Sequence, residues 1–336
     1  MRFAHPVEMT LFVDSVHDLL AAECTPDHVR ATWETGRLDP GRWKALADTG
    51  VAGILVPEEA GGLGLSEPVA ILFAEQAGAA ALPEPLTEVL VASSLLADLG
   101  GPAAQEWLPR IAAGDAVVVP ALAGDPYPAH VTVAHMVLLQ NGPGKVVAIT
   151  PDNAEVTPQP TLDGGRPTAS LTMAAGGDVV ASWDNVDAAL LTAARLGATL
   201  AAAGLVGAAT AAIHLARDHA LAREQFGQPI GRFQAVKHLL ASALVDVEFS
   251  RPLVEKAAFA LASRDPDASI HVSAAKAFAG DAARQAATAA LQVHGAIGYT
   301  WECDLHLWLK RTWSLMAAWG DTELHWQTVE DDLALA

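Results

Sequence analysis

Two short strings of this chain carry side chains suited to gripping an anionic, ring-bearing molecule. The first is Arg223-Glu224-Gln225-Phe226-Gly227-Gln228-Pro229-Ile230, followed by Phe233-Gln234. An arginine fork can clamp a diphosphate through two bonds, and at a helix end its charge offsets the C-terminal dipole. Gln225 adds a donor and an acceptor, and Phe226 offers a flat face to a planar ring. The second string is Gln292-Val293-His294-Gly295-Ala296-Ile297-Gly298-Tyr299. Its glycines allow a bend where backbone can approach a ligand closely, and Gln292 can donate to a phosphate or carbonyl oxygen. Arg-x-Gln-Phe-Gly alone also describes an ordinary interhelical turn with an arginine cap. Phe233-Gln234 and the following Lys237-His238-Leu239-Leu240-Ala241 make chance agreement a poor account.

These strings need rigid elements to hold them. Apolar spacing near 3.6 predicts helices over residues 188–221, 234–263, 267–294 and 303–318, so each string falls where a helix ends. The region to about residue 113 also reads helical. Residues 10–22 have helical spacing, and Asp39-Pro40 before Arg42 to Ala47 is a capped start. Between them, residues 116–120, 131–133, 136–139, 145–149 and 170–173 are short β-type runs punctuated by Pro, Gly, Asp and Asn, which predicts a small antiparallel β domain. The expected organisation is an N-terminal helical domain (1–114), a short β domain (115–187) and a C-terminal four-helix bundle (188–336). The fold class is thus mainly α with a small β domain.

Composition narrows the function. The 336 residues are 51% hydrophobic and 18% charged, a packed globular chain. A formal charge of −19 makes nucleic acid and anionic membrane surfaces poor partners. Cys24 and Cys303 form no ligand-spaced cluster, which suits a reducing cytoplasm. The string beginning Met1-Arg2-Phe3 has no leader pattern. Residues 196–216 lack Asp, Glu, Lys and Arg over a membrane-spanning length, yet they are mostly Ala, Gly and Thr, so a buried central helix is expected. Gly204 and Gly207 would let a neighbouring helix approach closely. His214 and His219 are five apart and miss one helical face, and His294 and His306 fall in different elements, so no metal site is predicted.

With Thr300-Trp301-Glu302-Cys303-Asp304-Leu305-His306 and Lys310-Arg311, the two strings resemble the C-terminal domain of the acyl-CoA dehydrogenase family. Pro57-Glu58-Glu59-Ala60-Gly61-Gly62-Leu63-Gly64, Ala81 to Leu86 and Trp107-Leu108-Pro109 are similar to landmarks of its N-terminal domain; the former string is otherwise a surface turn, and without Gly-Lys-Ser it is no P-loop. The resemblance implies the family's acyl-CoA dehydrogenase-like fold, with a middle β-barrel-like domain, and FAD as cofactor. It implies an acyl-CoA substrate and an electron-transfer flavoprotein as acceptor. It also implies that Arg223, Gln225, Phe226, Ile230, Phe233, Gln234, Gln292, His294, Gly295 and Ala296 reach the FAD of a neighbouring subunit. Ala296 stands where the family has its second glycine.

Other family features are missing. The family removes an α proton with a glutamate kept at one of two places. Ungapped alignment from Gly298-Tyr299 puts Trp319 at the first, and counting back from Arg223 puts Gly197 at the second. Neither can take a proton. Asp321 and Glu323 are the nearest acids to the first place, and Arg195 is the charge nearest the second, either a solvent-facing helix-end cation or a substrate contact. The run Val118 to Tyr127 departs from the family's flavin cradle, and Trp183 lies too far along to replace it. The resemblance therefore points to the catalytically incomplete subunit of a hetero-oligomeric (α2β2) acyl-CoA dehydrogenase like those of actinobacteria, with a bulky, steroid-like acyl group by analogy. Two other readings stay open: a self-contained flavoenzyme using Asp321 or Glu323, and a binding or regulatory subunit without flavin.

Overall fold

The computed structural model describes residues 7–334, so the string at the N-terminus read for a leader falls almost wholly outside the described residues. Six helices come first: α1 (Val7–Glu23), α2 (Pro26–Thr35), α3 (Pro40–Asp48), α4 (Glu67–Ala79), α5 (Leu86–Leu99) and α6 (Gly101–Ala112). The predicted cap holds, since the Asp39 carboxylate accepts the Gly41 and Arg42 amides at 2.8 and 3.2 Å.

Next come β1 (Val118–Ala121), β2 (Met136–Gln140), β3 (Lys145–Ile149), β4 (Ala154–Gln159), β5 (Thr168–Met173) and β6 (Ala181–Asp184). Two corrections arise here. The sheet runs β1-β2-β3-β6 with β1 and β2 parallel, and only β2–β3 and β3–β6 are antiparallel. A long crossover rather than a hairpin joins β1 to β2. Within it, Val131-Thr132-Val133 is a 3-10 turn and not a strand. His130 enters that turn with φ 62°, buried beside Glu88, and this tertiary contact overrides the β-branched preference. Strands β4 and β5 form a separate antiparallel hairpin, and β4 and β6 went unpredicted because their exposed faces carry polar residues and a proline.

The last part holds α7 (Asp187–Ala222), α8 (Gln234–Ala262), α9 (Ala268–His294) and α10 (Leu305–Ala317), the four predicted helices. A further helix, α11 (Thr322–Ala334), packs on α9 beyond the expected bundle. Helix α7 is long and apolar enough to cross a membrane, but 89% of its most apolar window is buried in the protein, so it is the core helix. The close approach expected of its glycines is made with α4. A Cβ on Gly207 would run into the Glu75 carbonyl, and one on Gly78 of α4 into that of Gly204. Each glycine within a helix costs about 1 kcal/mol against alanine, and here the absent Cβ lets the two backbones touch.

Candidate functional site

The two sequence strings meet at one corner of the bundle. Helix α7 closes at Arg223, whose amide donates to the His219 carbonyl at 2.8 Å. The next residues form a tight hairpin, β7 (Glu224–Gln225) with β8 (Gln228–Pro229), where only a loop was expected. Its turn residues Phe226 and Gly227 both have positive φ, 51° and 77°, as a two-residue hairpin loop requires. At the end of α9, the His294 ring stacks on His219 with centroids 4.5 Å apart, its Nδ1–H donating to the Ala290 carbonyl. Burial, then His294 and Arg223, push the His219 pKa down. The stack pins the ends of α7 and α9 side by side.

Most of the corner faces outward. Phe226 is 93% exposed and meets Phe233 edge-on at 6.1 Å. Arg223, Gln225, Gln234, Gln292 and Ala296 are exposed, while Ile230, Phe233, His294 and Gly295 are half-buried. The Gln225 amide donates to the neighbouring Glu224 carbonyl, and the Arg223 guanidinium has no partner among the described residues.

The two positions where a base was expected meet elsewhere, and this contact was not foreseen. Trp319, in the link between α10 and α11, lies against Gly197 in α7. A Cβ on Gly197 would overlap Cδ2 and Cε3 of the indole and come within 2.7 Å of Cε2. Trp319 has φ 59°, a left-handed conformation unusual for a bulky residue. Three bonds secure the link. The fully buried Lys276 ammonium donates to the Met316 and Gly320 carbonyls, both at 2.9 Å, and His325 Nε2–H donates to the Trp319 carbonyl at 3.0 Å. Burial drives the Lys276 pKa down to about 7, against a partly offsetting Asp321. Asp321 itself accepts the Leu324 amide at 2.8 Å and so caps α11, and Glu323 is exposed in its first turn.

Trp319, Asp321 and Leu324 line a cleft of about 590 Å³ together with the run Leu122 to Pro126. Glu88 and Arg166 form its floor, with Arg166 Nε and Nη2 donating to Glu88 at 3.2 and 3.0 Å. Burial alone would raise the Glu88 pKa, but Arg166 and His130 outweigh it and hold the carboxyl below its usual range. Burial lowers the His130 pKa to about 4. Two further buried ion pairs are present: Arg311 Nε meets Asp163 at 2.5 Å, and Arg42 Nε meets Glu84 at 2.7 Å. Sequence reading missed this charged floor and the Lys276–His325 pair; a lone lysine in an alanine-rich helix was the only signal. Arg195 is half-buried and borders a separate pocket with Glu67, Asp98 and Arg264, outside the residues that line the cleft. The Trp183 indole reaches the Gly100 carbonyl at 3.3 Å and braces the sheet on the first helices.

Residues 7–115 match the acyl-CoA dehydrogenase N-terminal domain and residues 187–334 its C-terminal domain. The acyl-CoA dehydrogenase IpdE2 of Mycobacterium tuberculosis is 32% identical across 91% of this chain and 91% of its own. The chain belongs to the acyl-CoA dehydrogenase family. Its fold is shared with a chain of the Mycobacterium tuberculosis ChsE4-ChsE5 complex, at TM-score 0.87 and 24% identity over 100% of both chains. A chain from a variant of the Tcur3481-Tcur3483 steroid ACAD gives 0.89 and 24% over 98% of each. Family membership supports oxidoreductase chemistry with FAD. The corner's donor set suits such a molecule, with a free guanidinium for a diphosphate, an exposed ring and amide donors. Beside the chain's own cleft, the two positions where sequence counting expected a base, Trp319 and Gly197, are packed against each other.

Proposed function

We propose that this chain is the partner-dependent subunit of a hetero-oligomeric FAD-dependent acyl-CoA dehydrogenase. It lends the Arg223 corner to the flavin of a second acyl-CoA dehydrogenase chain, in an α2β2 assembly. The observation that carries the reading is the corner's outward build. A bulky residue in the left-handed conformation costs about 1–3 kcal/mol, and the hairpin turn that requires a positive φ would take glycine or asparagine at less cost, yet the chain sets Phe226 there, 93% exposed beside an unpaired arginine. A surface prepared in this way fits a molecule held by another chain.

The reaction takes a proton from the α carbon and a hydride from the β carbon of an acyl-CoA, leaving a double bond between them. The flavin, when bound, supplies the hydride acceptor, and a partner carboxylate takes the proton. Arg223 would neutralise the diphosphate, Phe226 with Ile230 and Phe233 would cover a ring edge, and Gln225, Gln234 and Gln292 would offer hydrogen bonds. The His294-Gly295-Ala296 bend would keep the backbone close. Relatives that include a steroid ACAD and a two-protein complex support a bulky acyl group and a second subunit. An electron-transfer flavoprotein is the acceptor we propose, and the cytoplasm the compartment, where Cys24 and Cys303 stay free.

Counting FAD in the purified chain and in its co-purified complex tests this. We expect none in the chain alone and one per pair of unlike chains. One FAD per chain in isolation would end the proposal. Asp321 on the cleft wall favours the self-contained enzyme as second reading, which requires the lone chain to turn over acyl-CoA and Asp321→Asn to abolish that.

A further inference from the structure

We infer that Trp319 is a stopper seated on Gly197, its flat ring occupying the space between α7 and the chain's own cleft so that no planar ligand enters that space. The inference deepens the proposed function, since it explains how one half of a shared assembly is kept out of use.

Gly197 lies within a helix whose neighbours are leucines and alanines, where glycine is the weaker choice. The other α7 glycines are set against α4 and α10, and Gly197 is the one set against an aromatic ring. A left-handed tryptophan persists only where its surroundings over-determine it. Lys276 and His325 together hold the carbonyl of Met316 in the last turn of α10 and those of Trp319 and Gly320 in the link. Ser273 fixes the other side of the His325 ring at 3.1 Å. Burying a lysine for two carbonyls is a costly arrangement, and the product visible here is the position of that link. The indole itself is left unpaired: its Nε1 is buried without a hydrogen-bond partner among the described residues, so the ring acts through shape. Taking it away would join its volume to the cleft of about 590 Å³ beside it. Apolar cavities of ring size take up ring-sized molecules.

Two variants of the full chain test the stopper. In Gly197→Ala, helix propensity alone predicts a higher Tm, whereas the stopper predicts a fall of several degrees, with Trp319→Gly in the same chain restoring it. A Tm unchanged or raised in Gly197→Ala would overturn the inference. In Trp319→Gly, which also relieves the left-handed backbone, millimolar 1-methylindole should raise Tm by several degrees and leave the parent chain unmoved. An equal response from both chains would count against it, as would none from a folded Trp319→Gly. Should Trp319→Gly not fold, the sign of the Gly197→Ala shift decides alone. Flavin counting separates the two proposals: flavin in the lone parent chain overturns the proposed function, whereas failure of the stopper leaves one FAD per unlike pair.

Discussion

Gly197 and Arg223 sit on the same helix, 26 residues apart, about 39 Å at 1.5 Å per residue. Around Gly197 the main costly choices are answered within the chain, the Trp319 Nε1 excepted. The glycine receives an indole, the indole's backbone is latched by Lys276, and the charges below are paired. Around Arg223 the costly choices are left open to solvent: a free guanidinium, a left-handed exposed phenylalanine and exposed amides. One end of the helix is finished and the other awaits something. The comparison therefore predicts that changes at the centre harm folding and leave a partner's flavin alone, while changes at the corner do the reverse.

The hardest blow to the centre is Arg311→Ala. It strands the Asp163 carboxylate, fully buried, without its partner. Breaking a buried pair from one side costs about 3–5 kcal/mol. Chemical denaturation should show a loss of that size, and a loss below about 1 kcal/mol would mean that water reaches the Arg311–Asp163 pair. The matching blow to the corner is Arg223→Ala. Losing charge-assisted bonds worth about 1.5–3 kcal/mol should weaken FAD retention by the complex roughly 10- to 100-fold. Denaturation of the lone chain should shift by less than about 0.5 kcal/mol, as for other exposed sites. Unchanged flavin retention would erase the distinction between the two ends.

A smaller effect comes from pH. The folded-state pKa of His130 is about 4, below the ordinary 6.5, so on acidification the unfolded chain takes up this proton first. Its contribution is intact above pH 6.5 and is lost as pH falls toward about 4. The slope is up to about 1.4 kcal/mol per pH unit for one proton. Glu88, held below 4.5 against the pull of burial, adds its own loss only at the acid end of that window. Denaturation midpoints at pH 7, 6 and 5 should fall, and fall less in His130→Gln. Equal slopes in both chains would show that His130 is not the neutral buried group of the floor.

How far the sequence disclosed these two ends follows from the range of the interactions. The corner was legible because a helix end, a Gly-containing turn and an aromatic are neighbours along the chain. The hairpin inside it escaped because Phe226, not a glycine or asparagine, opens the turn. Counting residues singled out Gly197 and Trp319 separately, but nothing in that count places one on the other across 122 positions. The Arg311–Asp163 and Glu88–Arg166 pairs escaped for the same reason. Val131-Thr132-Val133 misled because its strand preference is weaker than the pull of burying His130 beside Glu88.

Phe226→Gly gives the smallest effect and the sharpest test of the comparison, since it should move two readouts in opposite directions. The parent residue holds φ 51° at 93% exposure, and its one ring contact is the edge of Phe233 at 6.1 Å. Glycine adopts that backbone freely, so relief of about 1–2 kcal/mol per residue is available. Against it stand the larger entropy that glycine loses on folding, about 0.5–1 kcal/mol, and one exposed aromatic contact. The balance for the lone chain is a gain of at most about 1 kcal/mol. FAD retention by the complex should nevertheless drop, because the ring that covered a flavin edge is gone. If the lone chain is destabilised and retention holds, Phe226 serves its own fold, and the corner is no more outward-looking than the centre.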